Sequence, residues 1–500
     1  MLEFFLSRLF RNRYRQVESW MKEPIRFQNE LLQDILYKGN YTEFGRNHHF
    51  SAIRDYESFI RQVPVRNYPE FQPWIERMRK REENVLWPGL VDMFSKSSGT
   101  TSGKSKYIPV THEYLEFNHI QGASDTLSIL YNQFPNLGLF EGKNMIIGGS
   151  LERLAEYPGI VSGDISALLL NNMPWYARQV FVPSIELATA QDWEFKLAET
   201  PGQILDEPLV MFAGVPTWLI VLFKNILQQT GKENLLQIWP GLKLYIHGGV
   251  NFGPVLPVFK KLIPSESFLY QEVYNASEGY FATRYNQQGE GMLLLLNHAV
   301  FYEFKDLHSG NIVPVEGIRL NTPYHLIITN NCGLWRYDTG DVIECTGLDP
   351  VRIKIAGRTT QFINAFGEEV IVENAEKALE KACGEHQCMV TDFTAGPKYM
   401  DGGGKGAHEW IIEFEKSPSD LKAFARSLDL ALQSLNSDYE AKRTKNLALE
   451  QLIIHEMPRG FFYSWMKSQG KLGGQHKVPR LKNDRSIIDA VLQFYNHGKG

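Results

Sequence analysis

Phe94-Ser-Lys-Ser-Ser-Gly-Thr-Thr-Ser-Gly-Lys-Ser-Lys106 crowds hydroxyl side chains, two glycines and three lysines into one short stretch. Glycine lets backbone N–H groups approach an anion closely, serine and threonine add short donors, and lysine adds charge. That combination suits a polyphosphate. The apolar run Leu90-Val-Asp-Met-Phe94 leads in and Lys106-Tyr-Ile-Pro-Val110 leads out, so the segment reads as strand, loop, strand. A Walker-type P-loop is excluded by spacing. That motif places four residues between its glycines, then Lys and Ser/Thr at the opening of a helix. Here Gly99 and Gly103 enclose three residues, and Pro109 disfavours a helix through Ser105 to Val110. Such a composition taken alone more often belongs to a flexible surface loop, so the rest of the chain has to decide.

On both sides of the loop, strand-like and helical runs alternate from Val85 to Thr329. Met145-Ile-Ile147, Leu209-Val-Met-Phe212, Leu242-Lys-Leu-Tyr-Ile246 and Met292-Leu-Leu-Leu-Leu296 have strand character, with a helix at Thr217–Gln229 among them. The alternation predicts α/β architecture with substantial parallel sheet. Residues 1–60 read as helices, with Phe27, Leu31, Leu32, Ile35 and Leu36 at three- and four-residue spacing. The pattern changes near Gly357. Beyond it come a strand, a helix (Val372–Ala382), a strand, a glycine-rich loop (Gly402–Gly406), a strand (Glu409–Phe414) and a helix (Pro418–Leu435). These make a compact α+β unit of ordinary domain size. The expected division is a large N-terminal α/β domain with mixed and parallel sheets, residues 1–356, and a smaller α+β domain, residues 357–500.

A chain of 500 residues exceeds what one core usually serves, in keeping with two domains. A hydrophobic content of 43% places it among ordered globular proteins. The net charge of −5, with no basic tract or zinc-knuckle spacing, argues against a dedicated nucleic-acid binder. The cysteines Cys332, Cys345, Cys383 and Cys388 include no Cys-x-x-Cys pair, which points to a reducing cytoplasm. The start, Met1-Leu-Glu-Phe-Phe-Leu-Ser-Arg-Leu-Phe10, is apolar but carries Glu3 and Arg8 and lacks the order of a signal peptide. It either packs onto the body or lies on a membrane surface. Its uncharged runs fall well short of the roughly 18 residues that an integral span needs.

Several further segments can carry chemistry. Tyr274-Asn-Ala-Ser-Glu-Gly-Tyr280 follows the extended run Ser267–Val273. A strand ending in a small-residue turn can aim a carboxylate, here Glu278, at a metal-bound phosphate, while Tyr274 can stack on a base. The same spacing also fits an exposed turn or a helix start. Upstream, Tyr245-Ile-His-Gly-Gly-Val250 ends in a diglycine against which a flat ring can lie, or in an ordinary turn. Leu334-Trp-Arg-Tyr-Asp-Thr-Gly-Asp-Val342 sets Asp341 at a strand end, where it can accept ribose hydroxyls or cap its own turn. Gly357-Arg-Thr-Thr-Gln-Phe-Ile-Asn-Ala-Phe-Gly-Glu-Glu-Val370 sits at the change of pattern, where a hinge belongs. Gly470-Lys-Leu-Gly-Gly-Gln-His-Lys-Val-Pro-Arg480 is a lysine-bearing loop that also reads as solvated surface. Zinc-protease, nucleophile-elbow and dinucleotide fingerprints are absent.

Taken in order, these segments resemble the adenylate-forming superfamily of acyl-CoA synthetases, luciferases and adenylation domains. Within it, Ser97-Ser-Gly-Thr-Thr-Ser-Gly103, Tyr274-Asn-Ala-Ser-Glu278, Tyr337-Asp-Thr-Gly-Asp341 and Gln475-His-Lys-Val-Pro-Arg480 most resemble the Gretchen Hagen 3 family of acyl-acid amido synthetases. Phe44-Gly45, His49-Phe50 and Val63-Pro-Val-Arg66 look like that family too. The resemblance implies ATP and Mg²⁺ as cofactors. Ser97, Ser98, Gly99, Thr100 and Thr101 would surround the phosphates, with Lys106 closing the motif. Gly248, Gly249 and Tyr274 would hold adenine beside Ser277, Asp341 would bind ribose, and Glu278 would face Mg²⁺. Lys477 would be the catalytic lysine, favoured over Lys471 and Lys482 by its Lys-x-Pro-Arg context. Where the superfamily often has a hinge Asp, this chain has Gln361, so no single hinge residue is assigned.

The activity implied is adenylation of a small carboxylic acid, then acyl transfer to an amine, an amino acid in the named family, as the small mobile domain swings. A CoA thioester from the same adenylate is the alternative. A nucleotide binder without turnover is another, against which Glu278, Asp341 and Lys477 speak together. The acid pocket is expected beside the adenylate, from the helix Glu113–Phe134 and the segment Pro174–Val182. There Trp175 and Tyr176 either pack in the core or touch a ring.

Overall fold

The computed structural model describes residues 2–97, 106–153, 156–249, 252, 256–287, 289, 291–358, 361–400, 405–469 and 478–497. A twelve-stranded sheet forms the body. In one half of it Phe181–Val182, Lys143–Ile146, Leu209–Ala213, Leu244–His247 and Leu269–Ala276 lie side by side, all parallel. Parallel strands are covered on both faces, so they read as unbroken apolar runs, as Leu209-Val-Met-Phe212 does. The helix Pro216–Thr230 covers one face, burying Leu219, Ile220, Phe223 and Ile226 against Phe212 and Tyr245.

The other half is antiparallel and continues through Gly279–Arg284, Met292–Leu294, Val351–Arg358, Tyr337–Leu348, Pro323–Asn330, Val300–Asp306 and Ile312–Pro314. The expected Met292–Leu296 strand stops at Leu294. Asp341 lies inside a long strand, paired with Arg358, not at the strand end that its glycine suggested. The α/β class holds, with the sheet mixed.

The helices Leu2–Lys22 and Pro24–Gly39 lie where the periodicity put them, and the second buries Leu32, Ile35 and Leu36 against the antiparallel half. A clamp then joins the N-terminal region to the strand bearing Asp341. Arg66 N–H donates to the Arg336 carbonyl at 3.1 Å, and the Asp338 N–H donates to the Arg66 carbonyl at 2.8 Å. The buried Arg336 guanidinium forks onto the buried Glu303 carboxylate at 2.8 Å, and Tyr56 donates to the same carboxylate at 2.9 Å. His48 is half-buried, stacked on Phe44 at 4.1 Å and 2.9 Å from Arg66.

Met93–Ser97 and Lys106–Val110 pair antiparallel in a separate four-stranded sheet, so a strand stands on either side of the phosphate-type loop, the first beginning at Met93 and not at Leu90. The C-terminal unit follows the predicted order: helix Val372–His386, strands Met389–Lys398 and Ala407–Lys416, and helix Leu421–Leu435. Trp410 and Ile412 face these helices, while Ile411 faces a second layer formed by Phe461–Ser468 and Ser486–His497. Glu409, Ile411 and Glu413 alternate with Trp410, Ile412 and Phe414 along that strand, and coverage on both faces buries both sets. One apolar cluster runs from the parallel sheet into this unit, joining Trp218 and Phe252 to Phe366 and Trp410.

Candidate active site

A cavity of about 1220 Å³ lies where the C-terminal unit meets the parallel half of the sheet. Ser97, Gly248, Gly249, Tyr274, Ser277, Glu278 and Asp341 all line it. Lys106 is not in its lining, and its ammonium lies 5.8 Å from the centre of the Tyr68 ring. Ser98, Gly99, Thr100, Thr101 and Lys477 fall outside the described residues, as does Lys471. Lys482 lines the cavity, with its ammonium 3.8 Å from the Asp484 carboxylate.

Glu278 owes its position to a buried hairpin. Ala276 pairs with Gly279, which leaves Ser277 and Glu278 as the connecting turn. Hairpin turns normally face water, but here the Glu278 carbonyl accepts from the Tyr114 hydroxyl at 2.6 Å, and the turn is drawn inward. The Tyr337 hydroxyl stands 3.5 Å from Oε1 of the same residue, whose side chain is buried. A wide helical turn over Leu115–Ile120, of the π type often met at functional sites, faces this hairpin. From it Asn118 donates to the Tyr280 and His298 carbonyls at 3.3 and 2.8 Å and accepts from the Tyr280 N–H at 2.7 Å. His119 adds a 3.0 Å bond to the Asn275 amide, and burial drives its imidazole down to about 3, so the ring stays neutral.

The Tyr274 hydroxyl donates to the Asp341 carboxylate, which joins two separate sequence motifs directly. The Asp341 N–H in turn donates to Thr339 Oγ1 at 3.1 Å. Gly248 follows the strand Leu244–His247 so closely packed that a Cβ there would sit 2.3 Å from the Val273 carbonyl oxygen. Gly249 has φ +81°, and a Cβ there would meet no described atom within 4 Å. The pair therefore sets a tightly packed glycine beside one whose Cβ position meets no described atom.

Other residues in the cavity, and Lys196 directly behind its wall, carried no contiguous signal. Lys196, on the helix Trp193–Ile204, is almost wholly buried and donates to the Gly148 and Gly149 carbonyls, each at 2.8 Å. Burial lowers its ammonium to about 8. Asp164 accepts from the Ser150 N–H at 2.7 Å, and burial, then the neighbouring Asp438 charge, push its carboxyl up. Trp193 stacks on Trp218 with ring centres 3.9 Å apart. From the C-terminal unit, Lys442 places its ammonium 5.5 Å from the centre of the Trp218 ring. A lysine inside an amphipathic helix ordinarily signals a solvated face, which hides Lys196 and Lys442 from a reading by pattern.

A second limb of the cavity is apolar. Ile120, Ala123 and Leu127 come from the helix expected there, and Tyr176, Ala177 and Val180 from the expected second segment, with Leu139, Phe140 and Met211 completing the wall. Trp175 is 66% exposed and forms no part of it.

Among the described residues, no group of three or more His, Cys, Asp or Glu side chains is arranged so that it could hold a metal ion. A lone buried carboxylate suits Mg²⁺ that arrives on a nucleotide and keeps phosphate and water oxygens as its other ligands. Glu278 therefore fits the group that the resemblance implies, but not as part of a resident metal cage. No helix among the described residues is long and apolar enough to cross a membrane.

Comparison with known proteins gives the same grouping in three parts of the chain. Residues 13–198 match the GH3 family N-terminal domain, 293–358 the GH3 family central domain and 373–486 the GH3 family C-terminal domain. The chain is 21% identical to a probable indole-3-acetic acid-amido synthetase, GH3.1, of Arabidopsis thaliana, over 95% of this chain and 92% of that protein. It is 21% identical to the jasmonoyl–L-amino acid synthetase JAR6 of Nicotiana attenuata, over 96% and 94%. Among solved structures it is similar to the GH3.15 acyl acid amido synthetase, with a TM-score of 0.60 and 18% identity over 95% of this chain and 94% of that one.

Proposed function

The chain belongs to the GH3 family, and from that membership we propose an ATP-dependent acid–amino acid ligase that works through an acyl-adenylate. The observation that carries the reading is the convergence of Ser97, Gly248, Gly249, Tyr274, Glu278 and Asp341 on one cavity, out of segments far apart in sequence. In the first half-reaction an acid carboxylate oxygen attacks the α-phosphorus of ATP, the bond to the β-phosphate bridging oxygen breaks, and pyrophosphate leaves. In the second, an amine nitrogen attacks the acyl carbon, AMP leaves, and the nitrogen loses a proton.

The chain's own residues bind and orient. Adenine would lie in the open space beside Gly249, bounded by Tyr274. The Asp341 carboxylate, steadied by the Tyr274 hydroxyl, would receive the ribose hydroxyls. Ser97 and the loop that follows would hold the phosphates, with Lys477 bringing a positive charge to the α-phosphate. Holding reactants in line and neutralising developing charge account for most of the acceleration in such a transfer. When bound with ATP, Mg²⁺ supplies charge neutralisation at the phosphates, and Glu278 is the residue to hold it.

The acyl group would occupy the apolar limb between Leu127, Phe140 and Tyr176, which suits a largely hydrophobic acid. The acceptor would enter at the seam between Trp218 and Lys442. The domain division at 356/357, with the small domain swinging between the half-reactions, belongs to the same proposal, as does work in the cytoplasm.

Incubation with a panel of carboxylic acids, ATP and labelled pyrophosphate tests the first half-reaction. Exchange of label into ATP is expected with at least one hydrophobic acid, and its absence across the panel would favour a nucleotide binder without turnover. Mass spectrometry of products with amino acids or CoA supplied separates an amide, the expected product, from a thioester. Replacing Lys477 by Ala should lower exchange by at least about ten-fold. Unchanged exchange would move the role to Lys471 or Lys482.

A further inference from the structure

The N-terminal helix Leu2–Lys22 has two faces of different chemistry. Leu6, Phe10, Tyr14, Val17 and Trp20 recur at three- and four-residue spacing and are buried against the body. Their packing fixes which side of the helix looks outward. On that side Phe4 is 73%, Phe5 63% and Leu9 45% exposed. Interleaved with them, at Arg8, Arg11 and Arg15, three exposed arginines follow the same helical repeat.

Acidic compensation is slight. Glu3 is turned inward, where its carboxylate accepts from the Tyr131 hydroxyl and the Phe140 N–H, each at 2.9 Å. Arg8, Arg11 and Arg15 also rim a shallow basin of about 480 Å³, shared with Asn12, Glu18 and Asn132. A chain with net charge −5 thus concentrates cations and uncovered aromatic side chains on one helix face.

We infer that this face is a docking surface for anionic phospholipid bilayers. Arginine forks match phosphodiester oxygens, so the basin seats headgroup phosphates while Phe4, Phe5 and Leu9 enter the region between headgroups and acyl chains. Cations of this kind near a surface gain from the negative potential of anionic lipid and lose that gain as salt screens it. The aromatic side chains add a contribution that salt does not remove. The apolar cluster beneath the helix includes Leu139, Phe140 and Tyr176, which also line the apolar limb of the cavity. A docked helix therefore places that limb's wall close to the bilayer, where hydrophobic acids accumulate.

Flotation of the full chain with vesicles tests this. Binding is expected to vesicles of phosphatidylcholine mixed with phosphatidylserine, not to phosphatidylcholine alone, and is expected to weaken as salt is raised. The triple variant Arg8→Glu, Arg11→Glu, Arg15→Glu should lose at least about ten-fold in partitioning, on the order expected from the arginines' attraction to anionic lipid. Phe4→Ser with Phe5→Ser should lose binding and leave the salt dependence of what remains. All five side chains are exposed, so melting temperature and pyrophosphate exchange should match the parent protein and separate lost docking from lost folding. Failure of the parent protein to float with the mixed vesicles overturns the inference. So does retention by both variants, or inorganic phosphate filling the basin with no vesicle binding.

Discussion

At the scale of single residues, the site depends on close approaches that leave little room for change. Gly248→Ala would set a methyl 2.3 Å from the Val273 carbonyl oxygen, so the strand pair must separate. A loss of about 1–3 kcal/mol in unfolding free energy is expected, the usual cost of overpacking, with weaker nucleotide binding by calorimetry. Equal stability and affinity in the variant would refute this account of the diglycine. Lys196 titrates in the opposite sense from a paired surface lysine. Its ammonium falls from 10.5 to about 8 on burial. Between those values the unfolded chain keeps a proton that the folded chain has shed, so this group's contribution to stability is smallest below pH 8 and rises with pH through the window. Chemical denaturation below pH 8 and again near pH 10 should show a gain of about 1–2 kcal/mol in the parent protein that Lys196→Met lacks. The candidate residues legible in advance, Tyr274, Glu278, Asp341 and the diglycine, share one property: their neighbours in the chain make the motif. Asp164 and Lys196 feel each other's charge across more than thirty positions of sequence, where local pattern carries no information.

At the scale of elements, two devices hold the site from behind. The wide turn at Leu115–Ile120 presents Asn118 to the Tyr280 backbone on both its N–H and its carbonyl. Asn118→Ala leaves buried polar groups without partners and should cost about 2–3 kcal/mol in urea unfolding. A loss below about 0.5 kcal/mol would mean that water or a shifted side chain replaces those bonds. The clamp at Arg336 is the second device. Arg336→Met strands the buried Glu303 carboxylate, for which a loss of about 3–5 kcal/mol is expected, whereas replacing both partners with apolar residues should recover most of it. Strands and helices of the parallel half and the C-terminal unit were readable because periodicity and apolar runs follow from burial on one or two faces. The wide turn was not. Its residues are ordinary helix formers, and only the hairpin opposite gives the extra residue per turn something to reach.

At the scale of the whole molecule, the seam between the parallel sheet and the C-terminal unit brings Lys442 against Trp218, and Asp438 and Lys482 into the same cavity. If acceptors enter there, Lys442→Met should raise the KM for the amine by roughly ten-fold, the scale of one charge-assisted hydrogen bond, while pyrophosphate exchange changes far less. A parallel loss in both assays would place Lys442 in folding or adenylation instead. By itself, the sequence determined the α/β class, the order of elements in the C-terminal unit and the run of motifs that identify an adenylating family, because each depends on residues adjacent in the chain or repeating at a fixed period. The loop from Phe94 to Lys106 could be read as phosphate-binding for that reason. Only the tertiary structure decided that Glu278 stands in a buried turn, that Tyr274 bonds Asp341, and that Lys196 and Lys442 approach one stacked tryptophan pair. Those relations are set by sheet order and domain packing, which bring distant segments into contact, and no local periodicity encodes them.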